Sequence, residues 1–196
     1  MTPVSHRDRQ REDTRRRIYL AALDVFRRNG VTPAHIDDIT RVAGVSRASF
    51  YFHFPTKEHV LVQLMEESKQ RAADRVESLP RKASLEDVLS TTVQAMSVDW
   101  QADPKLLIEI GLLGLRQASE QGREAPRDPI RQALTARFQE AIDRKKIRSP
   151  LTAAMLADFF LVEALAASLA WTANPELPLE AALGTVVAVF LHGVTH

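Results

Sequence analysis

Residues 44 to 57 read GVSRASFYFHFPTK, and this stretch constrains the fold more than any other. Gly44 permits the left-handed backbone that a tight turn needs. Ser46 is a good N-cap and Pro55 ends the helix it starts, so a helix here has room only from Arg47 to Phe54. Upstream, Arg15 to Asn29 carries Ile18, Ala22, Val25 and Phe26 at helical spacing, with Gly30 as a stop. Ile36 to Ala43 reads as a short helix with Asp37 and Asp38 in its first turn, where the helix dipole favours acids. Downstream, Thr56 can cap a long helix from Lys57 to about Glu77.

A long helix and two short ones, with glycine at the second turn, form a helix-turn-helix pattern. At 100° per residue Phe50 and Phe54 share one face, suited to pack on Ile18, Phe26 and Ile39. Ala48, Ser49 and Phe52 point away from that face, and Arg47, Tyr51 and His53 lie at its flanks. Such an outward set suits a duplex groove, where polar tips meet phosphates and arginine reads guanine edges. Lys57, in the first turn of its helix, stands on the unfavourable side of the dipole. That position makes sense if the helix N-terminus and the ammonium hold a phosphate together; the plainer alternative is a solvated lysine.

Charge is uneven. The net formal charge of the 196 residues is +1. Residues 1–57 hold eleven Lys/Arg against six Asp/Glu, and the remainder holds fifteen against nineteen, so a basic quarter is joined to an acidic body. This suits a polyanion-binding module, although six of the eleven cations lie between Arg7 and Arg17 and fit a solvated basic tail equally well. The chain has no cysteine, which removes disulfides, thiolate metal sites and thiol catalysis. The first seventeen residues are Arg-rich and polar with no apolar stretch of the kind a secretory leader needs, so a cytoplasmic location is expected. Leu151 to Trp171 is very apolar but carries Asp158 and Glu163, which favours a buried helix of a soluble protein over a membrane span.

The other segments are helical too. Ser84 caps a helix to about Trp100, Asp103-Pro104 opens one to about Ser119, and 120–128 is a polar loop. Pro129 to Lys145, Leu151 to Trp171 behind Ser149-Pro150, and Leu179 to His192 follow. No useful strand alternation occurs, and the expected fold is all-α with about nine helices.

The segment AGVSRASFYFHFPTKEHVL, with IDDITRVAG before it, resembles the N-terminal DNA-binding domain of TetR-type transcriptional regulators over about residues 14–64. The shared elements are Gly44-Val45, Ser46, Tyr51, His53-Phe54, Pro55-Thr56 and Lys57. The resemblance implies a helix-turn-helix domain at 1–56 with a basic N-terminal arm, and a ligand-binding and dimerisation domain at 57–196. It implies base reading by Arg47, Ala48 and Ser49, and backbone contacts from Tyr51, Phe52, His53 and Lys57. Where a threonine pair is usual before the second helix, Ala34-His35 stand, and His35 is the candidate substitute donor. Thr40 occupies a place where alanine is usual. The implied partners are double-stranded DNA with a palindromic operator, a small-molecule effector and a second copy of the chain; no membrane and no cofactor are implied.

The last two helices are apolar on most faces, as expected if they form a four-helix bundle with a twofold mate. Effector-lining candidates are Trp100, Ile110, Leu113 and Phe159, with Met65, Leu106, Phe138 and Phe160 beside them, though apolar stripes are core by default. Glu163 and Asp158 need partners in so apolar a helix. For Glu163 these are a cationic ligand, an arginine of the same chain or a polar seam between subunits. No metal-ligand spacing, phosphate loop or nucleophile motif is present, so an enzyme is not expected. The expected function is a ligand-responsive transcriptional regulator, a repressor; the alternative is a ligand-binding or interaction module without DNA binding.

Overall fold

The computed structural model describes residues 5–101, 103–121, 128–147 and 149–195. Among these residues the fold is all-α, with nine helices and no strand. They are α1 (His6–Asn29), α2 (Ile36–Ala43), α3 (Arg47–His53), α4 (Glu58–Ser78), α5 (Leu85–Gln101), α6 (Pro104–Gln121), α7 (Pro129–Asp143), α8 (Ala153–Ala173) and α9 (Leu179–Thr195). The chain divides into two compact units, Met1–Leu64 and Met65–His196, and the division falls within α4. Of the segment expected as a polar loop, residues 122–127 lie outside the described residues.

In the first unit α1 starts nine residues earlier than its apolar periodicity indicates. Ser5 caps it by accepting from the Asp8 amide, and the Arg-rich run that follows contains no helix breaker. Ile18, Ala22, Val25 and Phe26 form the buried stripe. Gly44 ends α2 in the left-handed region (φ 64°, ψ 42°), which a residue with a Cβ adopts only at a cost. Thr40 is buried yet satisfied, because its hydroxyl donates back to the Asp37 carbonyl (3.1 Å), so α2 keeps its packing without the usual alanine. Ser46 accepts from the Ser49 amide (3.1 Å) and opens α3, as expected. Phe50 and Phe54 are fully buried, their ring centroids 6.1 Å apart.

In the second unit α8 packs on α6, α7 and α9, and α5 on α6, α7 and α9. Ser84 and Asp87 form a reciprocal cap on α5, with amide-to-side-chain bonds of 2.9 Å and 3.0 Å. Thr152, not the Ser149-Pro150 pair, caps α8 by accepting from the Met155 amide, so the helix begins two residues later than expected. In the core the Phe190 ring centre lies 5.9 Å from that of Phe138 and 5.3 Å from that of Phe160. This stack assigns Phe138 and Phe160 to packing. Arg137 of α7 turns its guanidinium onto the Val76 carbonyl at 2.9 Å, the Leu79 carbonyl at 2.7 Å and the Pro80 carbonyl at 3.3 Å. It thereby satisfies acceptors that a helix end leaves open.

Helix α8 is long and apolar enough by composition to cross a membrane, and only a third of its most apolar window is buried. It is therefore less covered than the buried helix the sequence suggested.

Candidate nucleic-acid interface

Helix α3 divides as its spacing dictates. Arg47 and Ala48 are exposed and Ser49 is half-buried, at the helix start. Tyr51 is 45% exposed and Phe52 is 66% exposed. These are high values for aromatics in a folded head. His53 departs from expectation. It lies buried with its ring edge-on to Phe52 at 5.1 Å, so it is not an outward phosphate donor. Burial, then the Arg11 and Arg15 charges, lower its pKa against a smaller opposing pull from Glu12.

Arg47 already has a partner. One of its terminal nitrogens donates to both carboxylate oxygens of Asp37, at 2.8 Å and 2.9 Å. A hydrogen bond with Tyr51, then the Asp37 charge, raise the guanidinium pKa above its ordinary value. Because both ion-pair members are more than half exposed, water screens the pair and exchange for a DNA partner costs little. A shallow cleft of about 410 Å³ adjoins this pair, lined among others by His35, Asp37, Arg47, Tyr51, Thr56 and Lys57. His35 stands exposed at the start of α2 without a side-chain capping bond, leaving its imidazole free to face the cleft.

Lys57 also departs from expectation. Its ammonium donates to the Val31 and Thr32 carbonyls at 2.8 Å each and to the Ala34 carbonyl at 3.0 Å. An ammonium has three hydrogens, and all are spent on the α1–α2 loop. Lys57 therefore fixes that loop, and a phosphate would have to displace a carbonyl to reach it.

Arg15 is a member of the site that motif reading missed. Its guanidinium lies 4.4 Å from the Phe54 ring centre, within cation–π range. It donates to the His53 carbonyl at 2.8 Å and to Gln63 Oε1 at 2.8 Å. It thereby closes the C-terminal end of α3. The available signal was its position one turn before Ile18 on the core-facing stripe of α1.

The effector candidates do not converge. Ile110 is buried and Leu113 half-buried on α6. Nearby on that helix, a Cβ at Gly111 would meet Leu169 of α8 at 3.0 Å, and one at Gly114 would meet Met65 Sδ at 3.6 Å. Phe159 is 49% exposed and Glu163 is exposed, on a side of α8 that faces away from this cluster, so neither lines an interior site. The apolar composition of α8 hid which of its sides is covered. Asp158 pairs at the surface with Arg131, at 2.5 Å and 2.9 Å, which answers its need for a partner. The Trp100 side chain lies outside the described residues.

Residues 18–64 match the model of the bacterial regulatory proteins of the TetR family. The HTH-type transcriptional regulator SrpR of Pseudomonas putida is 52% identical over 50 residues, 26% of this chain and 24% of SrpR. The chain thus spans about a quarter of that relative's length. Among solved structures, Thermus thermophilus FadR, a TetR-family transcriptional repressor in complex with lauroyl-CoA, superimposes with a TM-score of 0.70 at 22% identity, covering 91% of this chain and 94% of FadR. SmeT, the repressor of the Stenotrophomonas maltophilia multidrug efflux pump SmeDEF, gives a TM-score of 0.69 at 20% identity, covering 93% of this chain and 90% of SmeT. At such identities the likeness is one of fold: an N-terminal helix-turn-helix head with a C-terminal helical domain.

Proposed function

We propose that the chain, whose residues 18–64 match the TetR family of bacterial regulatory proteins, is a ligand-responsive transcriptional regulator, a repressor that a small molecule releases from a palindromic DNA operator. The observation that carries this reading is the division of α3: Phe50 and Phe54 are fully buried while Arg47, Ala48, Tyr51 and Phe52 face outward. A short helix anchored by two aromatics and presenting a mixed cationic and aromatic side is built to enter a major groove. Arg47, Ala48 and Ser49 read base edges. Tyr51, Phe52 and His35 meet the backbone. Lys57 and His53, with their bonding and burial, hold the loop and the end of α3.

The division of labour runs 1–56 for the DNA head with its basic arm and 57–196 for effector binding and dimerisation. The protein works in the cytoplasm as a homodimer and as a regulator, not an enzyme. Exposed Met155, Phe159 and Val162 on α8 and Val189 on α9 favour a twofold bundle of these helices. Glu163, on the same exposed surface of α8, then belongs to the seam. Dimerisation sets two copies of α3 against successive major grooves about 34 Å apart. The effector is apolar or carries an apolar chain, in keeping with the lauroyl-CoA held by FadR, whose fold this chain shares. Binding acts by population shift, favouring a dimer whose heads are wrongly spaced, with α4 as the element shared by head and body.

Selection of duplexes from a random pool with the full chain tests the reading. Enrichment of a palindrome is expected, and a chain that enriches no duplex overturns it.

A further inference from the structure

Six arginines lie between Arg7 and Arg17, and α1 sorts them by side. Counting 100° per residue, Arg7, Arg11 and Arg15 fall within a sector of about 80°, which continues the buried stripe of Ile18, Ala22 and Val25. Arg9, Arg16 and Arg17 fall on the other side of the helix. Beyond Arg15 the head has no further core to cover, and the stripe changes from apolar to cationic while keeping its direction.

That direction leads past the recognition helix. Arg15 is fixed to the end of α3 through the His53 carbonyl. One turn earlier, Arg11 lies 5.0 Å from the ring centre of Phe52, the most exposed aromatic of α3. One turn earlier again, Arg7 is exposed in a turn held by the Ser5 cap, so the run is ordered helix and not a loose tail. Among the described residues, the head's ion pairs of Arg28 with Asp24, Arg41 with Asp38 and Arg47 with Asp37 use none of the three. Asp8 and Glu12 stand about 60° and 100° round the helix from Arg11 and flank the stripe, and Asp13 stands about 200° round; the Glu12 pull at His53 is smaller than that of Arg11 or Arg15, so the stripe keeps a net positive charge. The combined charge is felt at buried His53, where burial first and Arg11 and Arg15 next lower the pKa.

We infer that Arg7 and Arg11 form a second DNA contact, clamping backbone phosphates of the duplex that flanks the segment read by α3. The inference rests on the DNA-binding reading above. Eight residues of helix separate Arg7 from Arg15, about 12 Å, a reach of roughly three to four base pairs along the duplex axis. Guanidinium groups suit phosphate because they donate two parallel hydrogen bonds. Such contacts carry no base information, so the clamp adds affinity and footprint while leaving preference to Arg47, Ala48 and Ser49.

The test uses the full chain and the duplex it selects, in a long form and in a form trimmed to the palindrome. Each phosphate contact contributes about 0.9 to the slope of log affinity against log salt. The R7Q/R11Q variant is expected to lower that slope by about 2 to 4 for the dimer on the long duplex, with base preference unchanged. Trimming is expected to weaken the wild-type chain and leave R7Q/R11Q nearly unaffected. R9Q/R16Q removes the same charge from the opposite side and is expected to keep the slope within about 1 of wild type. Equal slopes for wild type and R7Q/R11Q, or equal losses for the two double variants, overturn the clamp. Unfolding midpoints matching the wild type confirm that the surface variants remain folded; if R7Q/R11Q alone fails this control, R7Q, which touches no part of the core, decides by the same readings. A wild-type chain that binds no duplex overturns the underlying reading as well.

Discussion

The two compact units carry their exposed apolar groups in different company. In the first, Tyr51 and Phe52 stand among Arg11, Arg47 and His35, so the aromatic surface is broken up by charge. In the second, Met155, Phe159 and Val162 stand along one side of α8 with Glu163 beside them, while the carboxylate of Asp158 is taken up by Arg131. A surface of the first kind stays soluble alone and suits a polyanion. A surface of the second kind is left exposed only if a like surface covers it. Both regions expose aromatics, and it is the neighbouring residues that tell what each is for.

The largest effect is expected from attacking the anchor that makes the first surface possible. Phe50→Ala removes a fully buried ring from a three-helix head. It should destabilise that head by about 3–5 kcal/mol. Hydrogen exchange should report lost protection over α2 and α3 while α7 and α8 stay protected. Uniform loss across both units would mean that they do not unfold separately. Next comes Phe159→Arg, which places a charge in the exposed apolar stripe of α8. The dimer is expected to weaken by roughly a hundredfold or more in sedimentation, with the helical signal unchanged. An unaltered dimer would exclude this side of α8 from the interface.

The same contrast explains what was legible in the sequence. In α3 every third or fourth residue changes character, so one count of 100° steps separated Phe50 and Phe54 from Ala48, Ser49 and Phe52 correctly. In α8 almost every position is apolar, and periodicity has nothing to contrast, which is why Phe159 was expected to line an interior site and stands outside, and why Glu163 was left with three alternative partners. The early start of α1 was hidden for the opposite reason: residues 6 to 17 have no apolar member to mark a side, and only the Ser5 cap and the lack of a breaker pointed to helix. The bonding of Lys57 was hidden because its three acceptors lie 23 to 26 residues upstream in a loop whose shape no local pattern gives.

Lys57 sharpens the comparison within the head. Lys57→Met keeps the stem and leaves three carbonyls of the α1–α2 loop without their donor. A loss of about 1–3 kcal/mol in head stability is expected, with the salt slope of DNA binding changed by less than about 1. Arg47→Ala should do the reverse, keeping stability and relaxing base preference at one position in each half-site. A fall in slope for Lys57→Met without loss of stability would return Lys57 to the phosphate contacts.

The smallest effect concerns His53 and has a definite sign. Burial and the nearby Arg11 and Arg15 lower its pKa in the folded head below the ordinary value of 6.5 that it keeps in the unfolded chain. Between those two values the unfolded chain binds more protons than the folded one, so stability rises with pH there. The contribution is whole above about pH 6.5 and is lost progressively as pH falls toward the folded-state value. Unfolding of the wild-type head should therefore require less urea at about pH 5.5 than at about pH 7.5. His53→Gln, which cannot titrate, should reduce that difference. Parallel loss in both proteins would move the cause to another group. Because the His53 ring stands edge-on to Phe52 and feels the charges of Arg11 and Arg15, the same proton adds a positive charge beside cations the head already carries there. Acid thus loosens the end of α3 while increasing its attraction for phosphate, and DNA, by favouring the charged form, should narrow the stability gap between the two pH values.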